Sequence, residues 1–449
     1  MSAVTAAPDQ AVRLTPAQRR AVVAGSIGNT VEWLDWSIYS AFAPVFASQF
    51  FPSTNPTAAL LSTLAVFAVG FIMRPIGGAV LGAYADRNGR RAGMTLTISL
   101  MACAALVIAI CPSYAQIGLL APVVLLIARL VQGFSAGGEF GSSSAFLVES
   151  AAPGRRAFAG SWQQVSVGSG VLLASLLGTL LTSFLNPEAL SSWGWRVAFA
   201  VGGLLGLVGL WLRVSVEETP LFSATASAGR RRANPLWSML VEHPGAALRV
   251  VAMTIPGTLT YYIWISYMAP YAHTATGIEL NQAFLANTIA IIVFLILLPF
   301  GGMLSDTIGR KPTMSAFALG YLVIAWPAFA LLQNNFWVLL LIELAGIVLL
   351  VGYSGSTAAV MAEQFPPEVR TVGISLPYAL AVAIFGGTAP YVTTWMTSNG
   401  LQGYIWLYVA AAAIVGLAVY LTMPETRGRD LEWTEPGPGL AWAEGVNPM

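Results

Sequence analysis

Apolar residues run through the chain in long blocks separated by short polar loops. A helix needs about 20 mostly apolar residues to cross a bilayer, whereas strands of a membrane barrel alternate apolar and polar residues over about 10 positions. The pattern predicts an all-α membrane protein with twelve transmembrane helices. Their expected bounds are 20–45, 57–84, 93–112, 119–148, 158–185, 195–214, 250–272, 282–305, 312–332, 336–361, 371–397 and 402–423.

The composition also indicates that lipid surrounds most of the chain. Hydrophobic residues make up 56% of the 449 positions and charged residues 9%, whereas soluble domains carry about 25% charged residues. Cys103 and Cys111 lie too far apart on one predicted helix to form a disulfide, and no residues suggest a metal, cofactor or nucleic-acid site. Residues 1–18 lack the apolar core of a cleavable signal peptide.

Arginine and lysine predict the orientation. Eighteen of the 21 lie in the two tails and in alternate loops, and such residues mark the cytoplasmic side of a membrane. We therefore expect a multi-pass protein of the inner (plasma) membrane with both termini in the cytoplasm. This arrangement requires an even number of helices.

The chain repeats one loop. Residues 82–91 read GAYADRNGRR and residues 302–311 read GMLSDTIGRK, each after the second helix of a six-helix half. Two parallel halves form a known transporter architecture. The sequence therefore predicts two six-helix bundles, with expected divisions at 1–19 (cytoplasmic tail), 20–214 (first bundle), 215–249 (cytoplasmic linker), 250–423 (second bundle) and 424–449 (cytoplasmic tail).

The repeated loop resembles the signature of the major facilitator superfamily. Strings such as GNTVEWLDWSIY (28–39), ARLVQGFSAGGEFG (128–141) and AEQFPPEVRTVGISLPYA (362–379) resemble its metabolite:proton symporter family. The combination is most similar to the 2-oxoglutarate permease branch, and relatives with the same strings carry citrate, shikimate, proline or betaine. The chain departs from that pattern at Trp36, at the additional buried acid Glu343, and in the tail PETRGRDL (424–431), which resembles sugar porters.

Two acids of the first helix are candidates for proton coupling. Glu32 and Asp35 lie three residues apart and share one helix face, where two ionised carboxylates repel each other and one can instead hold a proton. The resemblance to sugar:proton carriers implies that Arg129 pairs with Asp35 and releases it on protonation. The alternative is that one acid only pairs with an arginine to hold helices together.

Buried arginine is the candidate contact for the negative charge of the substrate. Arg74 lies inside the second helix and offers a two-pronged donor for a carboxylate, although it could instead pair with an acid. Arg196, at the outer end of the sixth helix, could hold a second carboxylate or anchor to lipid headgroups. The expected cavity wall of the second half is aromatic, and its candidate substrate contacts are Tyr262, Tyr267 and Tyr378.

The repeated loops are candidates for a cytoplasmic gate. Charged residues at helix ends can form salt bridges that hold the two halves together, and the expected partners include Glu149 with Arg155 or Arg156 and Glu363 with Arg370. Glycine allows the tight turns. They could instead serve only topology. The predicted gating residues are Gly82, Asp86, Arg87, Gly89, Arg90, Glu149, Arg155, Asp306, Gly309 and Arg310.

These patterns favour a transporter over an enzyme. We expect a monomer in the lipid bilayer that carries a small organic anion together with a proton, by alternating access. Shikimate or a zwitterion such as proline or betaine are alternative substrates. A drug antiporter is disfavoured because the fifth helix lacks the glycine-proline run of that class, and no Ser–Lys or paired-Asp set indicates an intramembrane enzyme. A receptor that transports nothing is the remaining alternative class.

Overall fold

A computed structural model describes residues 16–88, 90–137, 139–214, 235–429 and 431. Within these residues every regular element is helical. The first half contributes six long helices: α1 (Pro16–Phe50), α2 (Pro56–Asn88), α3 (Arg90–Ile110), α4 (Leu120–Ser135 continued by Glu139–Glu149), α5 (Arg156–Phe184) and α6 (Trp195–Val214).

The second half repeats this arrangement within the described residues. Its helices are α7 (Pro244–Tyr261 and Met268–Thr276, joined by a π-helical turn at Tyr262–Ser266), α8 (Leu280–Ile308), α9 (Arg310–Leu331), α10 (Phe336–Ala362), α11 (Arg370–Ala381 and Ala389–Ser398, joined through a π-helical turn at Val382–Gly386) and α12 (Ile405–Thr422). These twelve helices confirm the predicted all-α fold.

Ten helices of the described residues are long and apolar enough to cross a membrane. The other two long helices are α1 and α7. Helix α1 carries Glu32 and Asp35 within its span, which lowers its apolar character. Helix α7 is interrupted by its π-helical turn, and such turns are frequent at functional sites. The apolar runs predicted α7 and α11 as continuous helices, because a π-helical turn inside a helix does not interrupt a run of apolar residues.

Close packing between the halves depends on small residues. A Cβ on Gly302 of α8 would lie 2.6 Å from the carbonyl oxygen of Ala157 in α5, and one on Gly178 of α5 would lie 2.9 Å from the ring of Phe284 in α8. Real Cβ atoms do not approach neighbours so closely, so glycine lets these helices touch along their length.

The interface is closed at both ends. At one end the carboxylate of Asp306 accepts hydrogen bonds from the backbone N–H groups of Ala157 (3.0 Å) and Phe158 (2.8 Å). We name this the basic end, because the sequence places the arginine-rich loops there. At the opposite end Asn281 donates to the Ser183 hydroxyl at 2.7 Å. The structure therefore has no open route between the halves at either of these contacts.

A strap after α12 crosses the basic end. Thr426 donates to Glu363 at 2.6 Å, and the carboxylate of Glu425 accepts from the backbone N–H groups of Arg310 (2.9 Å) and Lys311 (3.0 Å). Glu425 therefore caps the first turn of α9, where the backbone donors have no intrahelical partner. The PETRGRDL string thus has a structural role in the second half.

The cap gives a stability prediction. Burial alone would raise the pKa of Glu425, but the backbone donors of Arg310 and Lys311 outweigh it and hold the pKa below its usual 4.5. A lowered pKa stabilises the fold above that value, and the contribution disappears as pH falls through the folded-state pKa. Glu425→Ala should lower the free energy of unfolding by about 1 kcal/mol at neutral pH, with the difference shrinking in acid.

Thermal unfolding in detergent across pH would measure this effect. Glu279→Ala is the matched control, because Glu279 stands at the N-cap of α8 but its side chain makes no capping hydrogen bond. Equal losses of stability in the two variants would exclude the cap.

Candidate functional site

A small cavity lies between the halves, midway along the helices. Its volume is about 20 Å³, which is room for a single water molecule. The hydroxyls of Tyr261, Tyr262 and Tyr353 are buried and have no hydrogen-bond partner among the described residues. The cavity is lined by Trp33 of α1, Gln164 and Val167 of α5, Gly257, Thr258, Tyr261 and Tyr262 of α7, Tyr353 and Ser354 of α10, and Tyr378 of α11.

Two buried ion pairs stand on one face of α1. Arg74 of α2 donates through Nη2 to Oε1 of Glu32 at 3.3 Å. Arg129 of α4 donates through Nη1 to Oδ2 of Asp35 at 3.2 Å. The three-residue spacing of the two acids explains the arrangement, because it puts both carboxylates on the side of α1 that meets α2 and α4.

Gln132 completes the Asp35 site. Its side-chain amide donates to Oδ1 of Asp35 at 2.8 Å, so each carboxylate oxygen has one donor. Gln132 follows Arg129 by three residues and shares its face of α4. Gln132 is not among the residues predicted from the sequence, although its spacing from Arg129 within ARLVQG could have identified it.

Aromatic rings surround both guanidinium groups. The Arg129 guanidinium lies 3.9 Å from the centroid of the Tyr39 ring, and that of Arg74 lies 4.6 Å from the Trp36 ring and 4.5 Å from the Phe71 ring. Rings stabilise a cation through their negative faces and exclude water. The interaction between each arginine and its acid is therefore strengthened by the low dielectric around it.

Both arginines keep unused donors. Nε and Nη2 of Arg129 and Nε of Arg74 are buried without an acceptor among the described residues. A buried N–H group without an acceptor costs free energy, so each guanidinium can donate a hydrogen bond to a further oxygen. Arg74 lies 5.5 Å from the Trp33 ring, which itself lines the cavity, and is thus one aromatic ring away from the cavity.

Comparison with known proteins decides the family. Residues 21–233 and residues 224–436 each match the sugar (and other) transporter family, in agreement with the two halves of the fold. The chain belongs to the major facilitator superfamily. It is thus a membrane transporter and not an enzyme.

Curated relatives of this transporter carry different solutes. The chain is 38% identical to the alpha-ketoglutarate permease of Escherichia coli (strain K12), over 94% of this chain and 98% of that protein. It is 37% identical to the citrate-proton symporter of Klebsiella pneumoniae (88% and 90% covered) and 30% identical to the proline/betaine transporter of Escherichia coli (strain K12) (93% and 86% covered).

Solved structures support the fold of the transporter. The proton:xylose symporter XylE bound to 6-bromo-6-deoxy-D-glucose superimposes with a TM-score of 0.72 at 19% identity, over 92% of this chain and 97% of that one. At this identity the likeness concerns the fold alone.

The transporter brings some of the predicted substrate contacts together and leaves others apart. Tyr262 and Tyr378 line the central cavity. Tyr267 does not: its hydroxyl shares a 2.8 Å hydrogen bond with Thr394 of α11. Gln164 and Gly257 also line the cavity but were not predicted from the sequence. A Cβ on Gly257 would lie 2.0 Å from the Tyr353 ring.

Arg196 lies away from the central cavity of the transporter. It lines a separate cleft of about 500 Å³ at the end opposite the basic end, together with residues of the loop between α3 and α4. Its guanidinium donates to the carbonyl oxygens of Ala109 and Cys111 and lies 4.2 Å from the Trp195 ring. These contacts satisfy carbonyls that the C-terminal end of α3 leaves free, so the structure does not place Arg196 as a second substrate clamp.

At the basic end the transporter pairs its charges differently from the sequence prediction. Arg310, which follows the positive-φ turn at Gly309, donates to Asp306 at 2.8 Å and to both carboxylate oxygens of Glu363. Glu149 of α4 pairs with Arg370 of α11 at 2.6 Å, whereas Arg155 is exposed. The predicted Glu149–Arg155 and Glu363–Arg370 pairs are therefore replaced, because the end of α4 faces α11 and α10 faces α9.

The first copy of the loop lies largely outside the described part of the transporter. Gly89 lies outside the described residues, and the surroundings of Gly82 and the side chains of Asp86, Arg87 and Arg90 are not described either. The prediction that they contribute to a gate therefore stays a prediction.

Proposed function

We propose that this transporter carries a small organic anion, with 2-oxoglutarate or a related di- or tricarboxylate as the preferred substrate, together with protons by alternating access. The observation that carries the proposal is the pair of buried arginine–acid contacts on α1, of which the Arg74–Glu32 contact lies one aromatic ring away from the cavity. The relatives that carry 2-oxoglutarate and citrate support the substrate class.

The need to balance charge in a low-dielectric site explains the coupling of proton and anion. In the substrate-free state Asp35 balances Arg129 and Glu32 balances Arg74. An anion that enters alone adds uncompensated negative charge, which is costly in a buried site. A proton on Asp35 removes the charge that held Arg129, and the arginine then has free positive charge for the anion. Anion and proton therefore bind favourably only together.

Arg74 is the proposed direct contact for a substrate carboxylate. It uses one nitrogen for Glu32 and has further donors in the planar fork that matches a carboxylate. Tyrosine hydroxyls of the second half, including those of Tyr262 and Tyr378, offer neutral donors for the remaining oxygens. The cavity of this closed state is much smaller than the roughly 300 Å³ of a ligand pocket, so we propose that binding requires the halves to separate.

Uptake into proteoliposomes tests the proposal. Labelled 2-oxoglutarate, citrate, shikimate, proline and betaine would be offered at two external pH values, with and without a protonophore. We expect accumulation of the dicarboxylate that increases in external acid and is abolished by the protonophore. Accumulation of proline or betaine alone would favour the zwitterion alternative, in which Glu32 contacts the substrate cation. If none of the five compounds is transported, the proposal is contradicted.

The gate is proposed to operate at the basic end, with that end in the cytoplasm. Asp306 of the second half accepts two backbone hydrogen bonds at the first turn of α5 in the first half, where an anion is favoured by the helix dipole. Asp306→Asn removes this charge. Opening at the basic end should therefore become about tenfold more favourable, as expected for a loss of about 1.4 kcal/mol.

Thiol labelling would measure this opening. Ser354 lines the cavity and would be replaced by cysteine in a variant without Cys103 and Cys111. In membrane vesicles, this cysteine would be labelled from the basic side. Thr307→Ala is the neighbouring control, since its side chain bonds only within its own helix. A labelling rate that is the same in Asp306→Asn and in the parent would exclude Asp306 from the gate.

A further inference from the structure

Glu343 is an acid that the mechanism above does not use. It lies on α10, about 10 Å from the helix end opposite the basic end, and it is fully buried. Its Oε1 accepts from the side-chain amide of Asn287 at 3.4 Å, and its Oε2 has no hydrogen-bond partner among the described residues. No arginine, lysine or histidine of the described residues forms an ion pair with it.

Such surroundings suit a protonated carboxyl group. An ionised carboxylate in an apolar interior requires a cation or several donors, as Asp35 has in Arg129 and Gln132. Glu343 has a single long hydrogen bond from a neutral amide. The contrast between the two buried acids implies that Glu343 carries a proton in this closed conformation, whereas Asp35 retains its cation.

Glu343 also stands beside the interruption of α7. The Asn287 amide that contacts it donates in addition to the carbonyl oxygen of Ile265 at 3.3 Å, within the π-helical turn Tyr262–Ser266. The indole N–H of Trp264 donates to the carbonyl oxygen of Ile342 at 3.2 Å. The turn of α7 is therefore held next to Glu343 by two hydrogen bonds. One runs from Trp264 to Ile342 of α10, and the other comes from Asn287, which also contacts Glu343.

The same turn makes contact with the first half. The Ser40 hydroxyl of α1 lies 3.4 Å from the carbonyl oxygen of Ser266, at the end of the π-helical turn. A negative charge on Glu343 would draw the Asn287 amide away from Ile265 and would draw water into the α7–α10 contact. Both changes would disturb the part of α7 that closes on α1.

The neighbouring helices present few groups that could compensate such a charge. Helix α7 presents Trp264, α8 presents Asn287, and α9 presents Tyr321, whose hydroxyl donates to the carbonyl oxygen of Gly346 at 2.9 Å. Tyr321 is thus a titratable side chain that packs on α10 about one turn from Glu343, and it is neutral at ordinary pH.

We propose that Glu343 and Asn287 form a second proton-binding site, separate from Asp35, whose proton is required for α7 to close over the cavity and is not itself transported. The inference rests on the proposed symport function, because closure is detected as transport. The proton stays on Glu343 through the closed state, so it sets the fraction of carriers that can change orientation and leaves the proton-to-substrate ratio unchanged.

Substrate exchange at equal internal and external pH tests this site. An Asp35→Asn background removes the titration of the coupling acid. In that background exchange should fall at least tenfold as pH rises, because deprotonated Glu343 prevents closure. Adding Glu343→Gln, which imitates the protonated acid, should make exchange independent of pH. Glu343→Asp should restore a fall with pH, and the exposed control Glu188→Gln should leave the profile of the background unchanged.

The outcomes of this experiment separate the proposed Glu343 site from the proposed symport function. Exchange by the background that stays constant to the alkaline limit of the assay would overturn the Glu343 site, even if Glu343→Gln fails to fold. An identical decline with and without Glu343→Gln would overturn it as well. If wild-type protein shows no proton-coupled accumulation, the proposed function is itself wrong, whatever the exchange profile.

Discussion

Asp35→Asn should abolish accumulation of substrate against its gradient while exchange of internal for external substrate continues. The amide oxygen can still accept the hydrogen bond that Gln132 donates at 2.8 Å, whereas the amide NH2 replaces the oxygen that accepts from Arg129, so the ion pair is lost while the side chain keeps its size. It has no proton to gain or lose in the physiological range, and Arg129 therefore stays without a switchable partner. Exchange requires no net proton movement and is spared. The internal concentration should then rise only to the external one.

Proteoliposomes with an imposed proton gradient would measure both activities in the same preparation. Glu188→Gln, which removes an exposed carboxylate near the end of α5, is the control for loss of an acid as such. Glu32→Gln separates the two acids of α1. Continued accumulation by Asp35→Asn together with its loss in Glu32→Gln would assign the coupled proton to Glu32 instead.

Arg74→Ala should nearly eliminate binding of anionic substrates. Each charge-assisted hydrogen bond from a buried guanidinium contributes about 1.5–3 kcal/mol net, so the loss of one bond weakens affinity by about ten- to hundredfold. The variant also leaves Glu32 without the 3.3 Å contact to its cation, which adds repulsion toward an anion. Arg74→Lys keeps the charge but loses the fork and should raise the half-saturation concentration with a smaller effect.

Equilibrium binding to purified protein would show this effect without the transport cycle. Arg196→Ala is a matched control, since it removes an arginine that is directed at backbone carbonyls away from the cavity. Equal affinity of wild type and Arg74→Ala for every anion would leave Arg74 as a structural charge. A selective loss of diacid binding in Arg196→Ala would instead restore Arg196 as a second clamp.

Of the two ion pairs, one could be expected from the sequence and the other could not. Residues of α1 three apart must share a face, so the proximity of Glu32 to Asp35 follows from the chain alone. The Asp35–Arg129 pair was expected from the family resemblance, and the structure has it. The partner of Arg74 remained open among several acids, because its choice depends on how α2 is rotated against α1.

The charged groups of the basic end show the same limit. Sequence spacing favoured pairs between residues near in the chain, such as Glu149 with Arg155. The structure instead joins Glu149 to Arg370 across 221 positions. The charges were correctly expected at helix ends, but their partners were set by which helix ends meet between the halves.

The sequence by itself determined that this protein spans a membrane with twelve helices in two related halves, and which buried charges it contains. These properties follow from the lipid solvent, which demands long apolar helices and makes each interior charge costly. Only the tertiary structure decided that Arg196 lies outside the cavity, that Gln132 supports Asp35, and that Glu343 stands beside an interrupted α7 without a cation. The reason is physical: helix formation depends on neighbours in the chain, whereas the partner of a buried charge depends on helix rotation and packing over long sequence distances.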